Sequence, residues 1–541
     1  MTIRHFILAA VAATALLGSA TQGHDEPNVG HVPRTILEKP VVLREGVGNA
    51  REAVTTSSPE AQAFYNQGIN YLHSYVWIEA ARSFHQALRL DANLAMAWVG
   101  LSRAYSGVDD PKAAQDALDK AKTLADKAAP WERTRIDLRQ LQLTAMAAPK
   151  NAEAFQTYKN AIDKALGARM DDVELWLIRG NAEEPSPAGR GQRGGAGSIA
   201  FYKQALTLDP GHSAAHHFLV HSYEVIGQIG PALASGEVYA TAAFSVPHAW
   251  HMWGHDLRRG AQIEKAIEVF SKADQLERDY YAGEGIESQY DWHHGHNLDL
   301  LAGSYQYMGR IAKAEELYQT IFDLKVTPAS REGVKATSVD FFLNRQMWDK
   351  AATSAAALAK SDLPTLKPIS QILLGQAALG RGDKAGAAEA AKRAEQLLAP
   401  LGRDTPEYIG VKRSLDLFLA TLQLEGGASD AAREAHVKSI AAMRAALGPD
   451  AWIQALFNLG HIAQVARRAG DWELARIATE NMLDHDPTYG GSHYALALLA
   501  EHQGDRAKMR NALEQARTLW GKADPDFPEL KDIERRLAQL S

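Results

Sequence analysis

Cysteine is missing altogether from this chain of 541 residues. Its absence removes disulfides, thiolate metal sites, iron–sulfur clusters, thiol nucleophiles and the lipid-modified cysteine of a bacterial lipoprotein. Any borderline metal would have to be held by histidine, helped by carboxylates or methionine. Excess positive charge is also missing: 58 Lys and Arg stand against 65 Asp and Glu, a formal charge of -7. That balance argues against a nucleic-acid or anionic-membrane partner. No HExxH string occurs, which counts against a zincin-like protease, and without CxxCH there is no c-type haem attachment. A P-loop and a serine triad are equally unsupported. The GRGQRGG string at 189–195 lacks the strand and βαβ unit that a dinucleotide motif requires.

The one sustained apolar run, Phe6 to Leu17, follows a short basic start and precedes the small residues Gly18 and Ala20. This is the pattern of a signal peptide over residues 1–20, too short to span a membrane as a stop-transfer helix. The expected location is therefore periplasmic or secreted, with no transmembrane segment in the mature chain. Residues 21–60 contain Pro27, Pro33 and Pro40 and little periodicity, and read as an extended leader.

Repeats dominate the remainder. In AQAFYNQGINYLHSYVWIEAARSFHQALRLDAN (61–93), Phe64, Gly68, Tyr71 and Ala80 have the spacing of a tetratricopeptide repeat. Gly and Ala belong where two helices cross closely, and aromatics fill the gaps between pairs. Comparable units start near Leu94, Ser213, Pro247, Gly295 and Lys367, with two more at about 456–487 and 490–523 and a short closing helix. Asp-Pro turns, as in LTLDPGH (206–212) and LDHDPTY (483–489), separate them. The predicted fold is all-α, a tetratricopeptide-repeat superhelical solenoid. An N-terminal repeat region covers 61–330 and a C-terminal region 331–541. SPAGRGQRGGAGS (186–198) reads as a Gly-rich surface insert between a helix ending near Glu184 and one starting at Ser198.

Histidine is distributed unevenly: ten of the twenty lie between His212 and His296. In a stack of helix pairs the first helix of each pair lines the concave face, and residues three or four apart share that face. In SAAHHFLVHSYE, Leu219 and Tyr223 take packing positions, which leaves His217, His221 and Glu224 on the groove side. In PHAWHMWGHDLRR, Trp250 and Gly254 pack, leaving His248, His251, His255 and Arg258. In DWHHGHNLDLLAGSY, Leu298, Leu301 and Tyr305 pack, placing His296 and Asp299 inward and His293 one turn above. Histidines at i and i+4 can chelate one ion, and neighbouring helices can complete a three- or four-nitrogen shell or supply two adjacent ions. The expected metal ligands are His217, His221, His248, His251, His255 and His296. An all-nitrogen donor set suits Cu(II), with zinc or iron as the other choices. Glu224, Tyr223, Asp299 and Arg258 are the candidate catalytic or orienting residues. Trp253 and Trp292 could wall an apolar or cationic ligand, whereas Trp250 fits the core.

A plainer role fits the other histidines. His216, His294, His436, His461, His485, His493 and His502 read as single polar contacts, His73 and His85 as peripheral, and His212 as a helix start.

The segments DPGHSAAHHFLVHSYE, PHAWHMWGH and HHGHNLDLLAGSYQYMGR, with the first-repeat string FYNQGINYLHSYVWIEAARSFHQALRLDANLAMAWVGLSRAY, resemble a family of bacterial exported tetratricopeptide-repeat proteins with histidine motifs in their central repeats. The likeness extends over roughly residues 60–320. It implies the helical repeat fold and names no reaction. Three functions remain open at this point. One is a copper or other transition-metal redox enzyme. A second is a mononuclear hydrolase using Glu224 or Asp299 as base. The third is a non-catalytic scaffold that binds a peptide or protein partner, or delivers metal, along the groove. A groove closed by the leader or by the 186–198 insert would favour a small-molecule ligand.

Overall fold

The computed structural model describes residues 32–184, 195–326, 332–403, 405–427, 429–445 and 451–540. The expected signal peptide, the first part of the leader and most of the Gly-rich insert lie outside the described residues. The chain groups into two compact units, one within residues 24–301 and the other built from 302–323 and 332–541.

The first unit opens with a single helical turn, α1 (Arg34–Leu37), and continues as antiparallel pairs. These are α2 (Pro59–His73) with α3 (Trp77–Leu90), α4 (Ala95–Gly107) with α5 (Pro111–Thr123), and α6 (Pro130–Ala147) with α7 (Ala152–Ala168). Then come α8 (Val173–Asn181) with α9 (Ala196–Leu208), α10 (Ser213–Val225) with α11 (Ile229–Ala242), and α12 (Pro247–Arg259) with α13 (Ile263–Glu284). The first turns of α14 (His293–Tyr307) complete it. Successive helices pack on their sequence neighbours, as expected of tetratricopeptide-type repeats, and no strand occurs among the described residues.

Local chemistry sets the helix starts. Proline occupies the first position of α2, α5, α6 and α12, where its missing N–H costs nothing. Ser58 and Asp110 accept from the N–H of Ala61 and Ala113 and so cap α2 and α5. The small residues act as the sequence suggests. A Cβ on Gly68 would lie 2.6 Å from the Phe84 ring and one on Gly100 only 2.4 Å from it, so one phenylalanine fills a slot shared by two repeats. Gly254 and Phe270 repeat the device at 2.5 Å.

The leader runs along the first repeat. Asn70 accepts from the Ala50 N–H and donates to the Ala50 carbonyl, both at 2.9 Å. Next to it, the Asn49 side chain donates to the Gly211 carbonyl at 2.7 Å, just ahead of α10. The leader thereby ties α2 to the start of α10, residues some 140 positions apart.

The second unit contains α15 (Ile311–Asp323) and the pairs α16 (Val334–Asn344) with α17 (Trp348–Leu358) and α18 (Leu366–Gly380) with α19 (Lys384–Leu398). It continues with α20 (Pro406–Glu425) and α21 (Asp430–Ala445), α22 (Ala451–Ala469) and α23 (Trp472–His485), α24 (Gly490–His502) and α25 (Arg506–Leu519). A last helix, α26 (Pro528–Leu540), covers the end with buried Ile533 and Leu537. No helix among the described residues is long and apolar enough to cross a membrane.

Candidate metal centre

Helices α10, α12 and α14 are the first members of three successive units, so their inner faces adjoin. At 100° per residue, His217 and His221 share a face of α10, His248, His251 and His255 share a face of α12, and His293 and His296 share a face of α14. These seven imidazoles form one cluster. Six are buried, His217 and His251 completely, and His296 is half-buried.

The six expected ligands divide into two sets of three. In the first, His217 Nε2 lies 3.1 Å from both His248 Nε2 and His221 Nε2. His217 Nδ1 is 2.6 Å from the His73 carbonyl oxygen, which can only accept, so Nδ1 carries the proton and Nε2 presents its lone pair to the other two rings. In the second set, His255 Nε2 and His251 Nε2 are 2.8 Å apart, and His296 offers a nitrogen within 4.8 Å of both. Asn297 fixes the His251 tautomer: its amide donates to the Phe270 carbonyl at 3.0 Å, which turns Oδ1 toward His251 Nδ1, also at 3.0 Å. Metal–nitrogen bonds of about 2.0–2.1 Å in a tetrahedral shell put ligand nitrogens roughly 3.3–3.4 Å apart. The closest pairs, at 2.8–3.1 Å, stand just inside this spacing and the other nitrogens of each set lie within 4.8 Å, so each set could hold an ion once the rings adjust.

The two sets abut. The His248 and His251 rings are 5.9 Å apart and nearly parallel. His293 stands beside both, its ring 5.1 Å from His248 and 4.5 Å from His251. His293 Nδ1 is hydrogen-bonded to Glu277 and its Nε2 is buried without a hydrogen-bond partner. Glu224 touches both sets, with one carboxylate oxygen 3.4 Å from His255 Nδ1 and the other 4.0 Å from His221 Nδ1. The carboxyl of Asp256 is held well above the usual range by burial and by the adjacent Glu224, which favours its protonated form.

Burial also governs the imidazoles. It lowers His221 and His293 to about 4, and pushes His217, His248 and His251 well below the ordinary value, with neighbouring histidines adding to the effect. Burial raises Glu277 well above its usual range and lowers His293, so it disfavours the charged form of both partners in the Glu277–His293 contact. These five rings are thus unprotonated at pH 7, the state in which imidazole binds metal.

The cluster is enclosed, by an element other than the leader or the 186–198 insert considered from the sequence. The turn between α2 and α3 closes it: Tyr75 is buried, and its ring lies 4.7, 5.3 and 5.9 Å from those of His217, His248 and His221. Tyr75 adopts a left-handed φ of 58°, unfavourable for a residue with a side chain and tolerated where the surroundings enforce it. Trp292 forms another wall, 5.6 Å from His248 and 5.1 Å from His293, and donates from Nε1 to the Tyr75 carbonyl.

All six expected histidines come together, and Glu224 joins them. Asp299 and Arg258 are buried on α14 and α12. Tyr223 packs in an apolar cluster with Phe218 and Tyr202, with Lys203 over its ring. Trp253 faces Trp250 and Lys265, while Trp250 donates to the Phe244 carbonyl. The sequence places His293 one turn above the groove and outside the ligand set, and does not single out Asn297, Glu277, Asp256 or Tyr75. His293 was legible, since it precedes His296 by three residues and so shares its face; Tyr75 had no local signal.

The plainer histidine roles are visible as well. His212 accepts from the Ala215 N–H at the start of α10. His216 and His493 hydrogen-bond the carbonyls of Pro210 and Pro487 in the two Asp-Pro turns. His502 stacks on Trp472 at 3.7 Å. His73 is more than peripheral: it is buried and paired with Glu174 at 2.9 Å.

No family model matches the chain, and no curated protein sequence does. Among solved structures it is similar to the human IFIT1 dimer with PPP-AAAA, at 14% identity over 79% of this chain and 90% of that one, TM-score 0.38. It is also similar to YrrB, described as a TPR protein with an unusual peptide-binding site, at 16% identity over 47% and 98%, TM-score 0.23. A tetratricopeptide repeat protein from Parabacteroides merdae is similar at 14% identity over 60% and 98%, TM-score 0.31.

Proposed function

We propose that this chain is an exported, periplasmic repeat protein whose two tri-histidine sets each hold a transition-metal ion, copper first, and that the ions carry redox chemistry on a small reactant. The observation that carries this reading is the convergence of ring nitrogens to 2.8–3.1 Å within two adjoining buried sets. Neutral imidazoles packed this closely are poor core material, because each brings a polar nitrogen out of water. A bound cation would replace these ring-to-ring hydrogen bonds with metal–nitrogen bonds.

Copper is favoured by the donor set, which is all nitrogen with no thiolate. Redox chemistry is favoured by the two oxidisable rings, Tyr75 and Trp292, packed directly on ligand histidines. Enclosure by Tyr75 favours a small reactant over a peptide laid along the groove. Bound copper would supply one-electron chemistry. The chain's own groups would fix the ligand tautomers through the His73 carbonyl and Asn297, exclude water through Tyr75 and Trp292, and hold a proton on Asp256 beside Glu224.

Replacing His217, His221 and His251 together tests the reading, since it breaks both sets at once. Specific metal uptake should be lost while helical circular dichroism stays nearly unchanged. A triple variant that kept stoichiometric metal would overturn it.

A further inference from the structure

The second unit contains a hollow of about 140 Å³ between the faces of α22 and α24, the first helices of two successive pairs. On α22, Phe457, His461, Gln464 and Arg467 recur at spacings of three and four and share one side. Across from them stand Tyr494 and Trp520.

The charges around this hollow cancel with one exception. Arg345 is paired with Glu529 by two contacts, at 2.6 and 3.1 Å. Tyr494 donates to Asp532, and Arg536 is matched by Asp532 and Glu501. Arg467 makes no ion pair among the described residues, and its Nη1 is buried without a hydrogen-bond partner. A guanidinium does not deprotonate to escape this situation, so the site has an uncompensated positive charge. Burial, and to a lesser degree the nearby Arg536, act against the charged form of Arg467, while Tyr494 opposes them.

We propose that this hollow is a binding site for a small carboxylate with an aromatic or apolar body, its carboxylate on Arg467 and its body against Trp520 and Tyr494. A single unmatched cation calls for a monoanion. His461, lowered to about 4 by burial, is neutral at pH 7 and adds a hydrogen-bonding nitrogen without adding charge. Gln464 offers both a donor and an acceptor one turn from Arg467. The planar guanidinium fork matches a carboxylate in two-point contact. This site is independent of the metal reading, since none of its residues belongs to the histidine cluster.

Phenylacetate, titrated into the full-length protein by calorimetry against phenylacetamide as the uncharged control, tests the proposal. One site per chain is expected, with the acid bound at least about tenfold more tightly than the amide. Arg467→Gln should reduce acid binding by a similar factor, while His217→Ala should leave it unchanged. Should Arg467→Gln fold poorly, Arg467→Lys keeps the charge without the fork and is expected to weaken binding while preserving the preference for acid. Equal binding of acid and amide, no binding of the acid at about 10 mM, or unchanged acid binding in a folded Arg467→Gln protein would overturn the proposal.

Discussion

Metal-free protein should be sharply acid-labile, and the cause is the cost of keeping the buried imidazoles neutral. Burial lowers the pKa of His212, His217, His221, His248, His251 and His293 from an ordinary value of 6.5. For a group whose folded pKa is depressed, the unfolded chain binds the proton first. Stability is therefore present above pH 6.5 and falls as pH drops from 6.5 toward the folded values, about 4 for His212, His221 and His293. At pH 5.5 the unfolded chain has taken up nearly the whole proton at each site and the folded chain little. Each of His212, His221 and His293 then removes about 1.4 kcal/mol, roughly 4 kcal/mol together, and His217, His248 and His251 act in the same direction. The raised carboxyls of Asp256 and Glu277 act in the opposite direction, but the six histidines outnumber them, so the net effect is a loss that is large beside the stability of an ordinary domain. The assay is urea unfolding of chelator-treated protein, followed by far-UV circular dichroism between pH 7.5 and 5.5. A large fall in the midpoint over that window is expected. A midpoint that moved only slightly, with fewer than about two protons taken up on unfolding, would show that the cluster is solvated and refute the reasoning.

Other substitutions separate the parts of the site. Asn297→Leu removes the acceptor that fixes the His251 tautomer and should weaken one ion's binding about 10–100-fold while leaving the first set's ion in place, as read by competition with a chromophoric chelator. Equal loss at both sets would contradict the division into two. Tyr75→Gly relieves the left-handed backbone but opens the enclosure, and metal transfer to a chelator should speed up about tenfold or more; an unchanged rate would mean that Tyr75 does not close the site. Gly254→Ala drives a Cβ to 2.5 Å from Phe270 and should cost about 1–3 kcal/mol in thermal or denaturant unfolding, a cost that would be absent if the helices can part freely.

The repeat architecture was legible because each unit writes its own rule into the sequence: a small residue where Phe84 or Phe270 must fit, and an Asp-Pro turn before the next helix. Pairs lacking those marks, such as α6 with α7, were not singled out as repeats. Their buried residues include Arg135 and Arg139, which are satisfied by Asp172, Ser102 and Ser106 in place of apolar packing. The ligand histidines were legible for a geometric reason, since positions three, four and seven apart on three first helices must face one another. Enclosure was not legible. It depends on Tyr75, brought against His217 by the stacking of repeats far apart in the chain and held by a bond from His217 to the His73 carbonyl. Nor does spacing alone show that the histidines split three and three, because the split depends on how far each ring reaches across to its neighbour.

Elemental analysis of the full-length protein, purified without a tag or chelator, tests the central claim most directly. The account predicts close to two transition-metal ions per chain, copper foremost, reduced to about one when His217, His221 and His248 are replaced together. One ion in the unaltered protein would leave a metal site but contradict the paired arrangement. No bound metal, with none taken up on titration by copper, zinc or iron, would contradict the account as a whole.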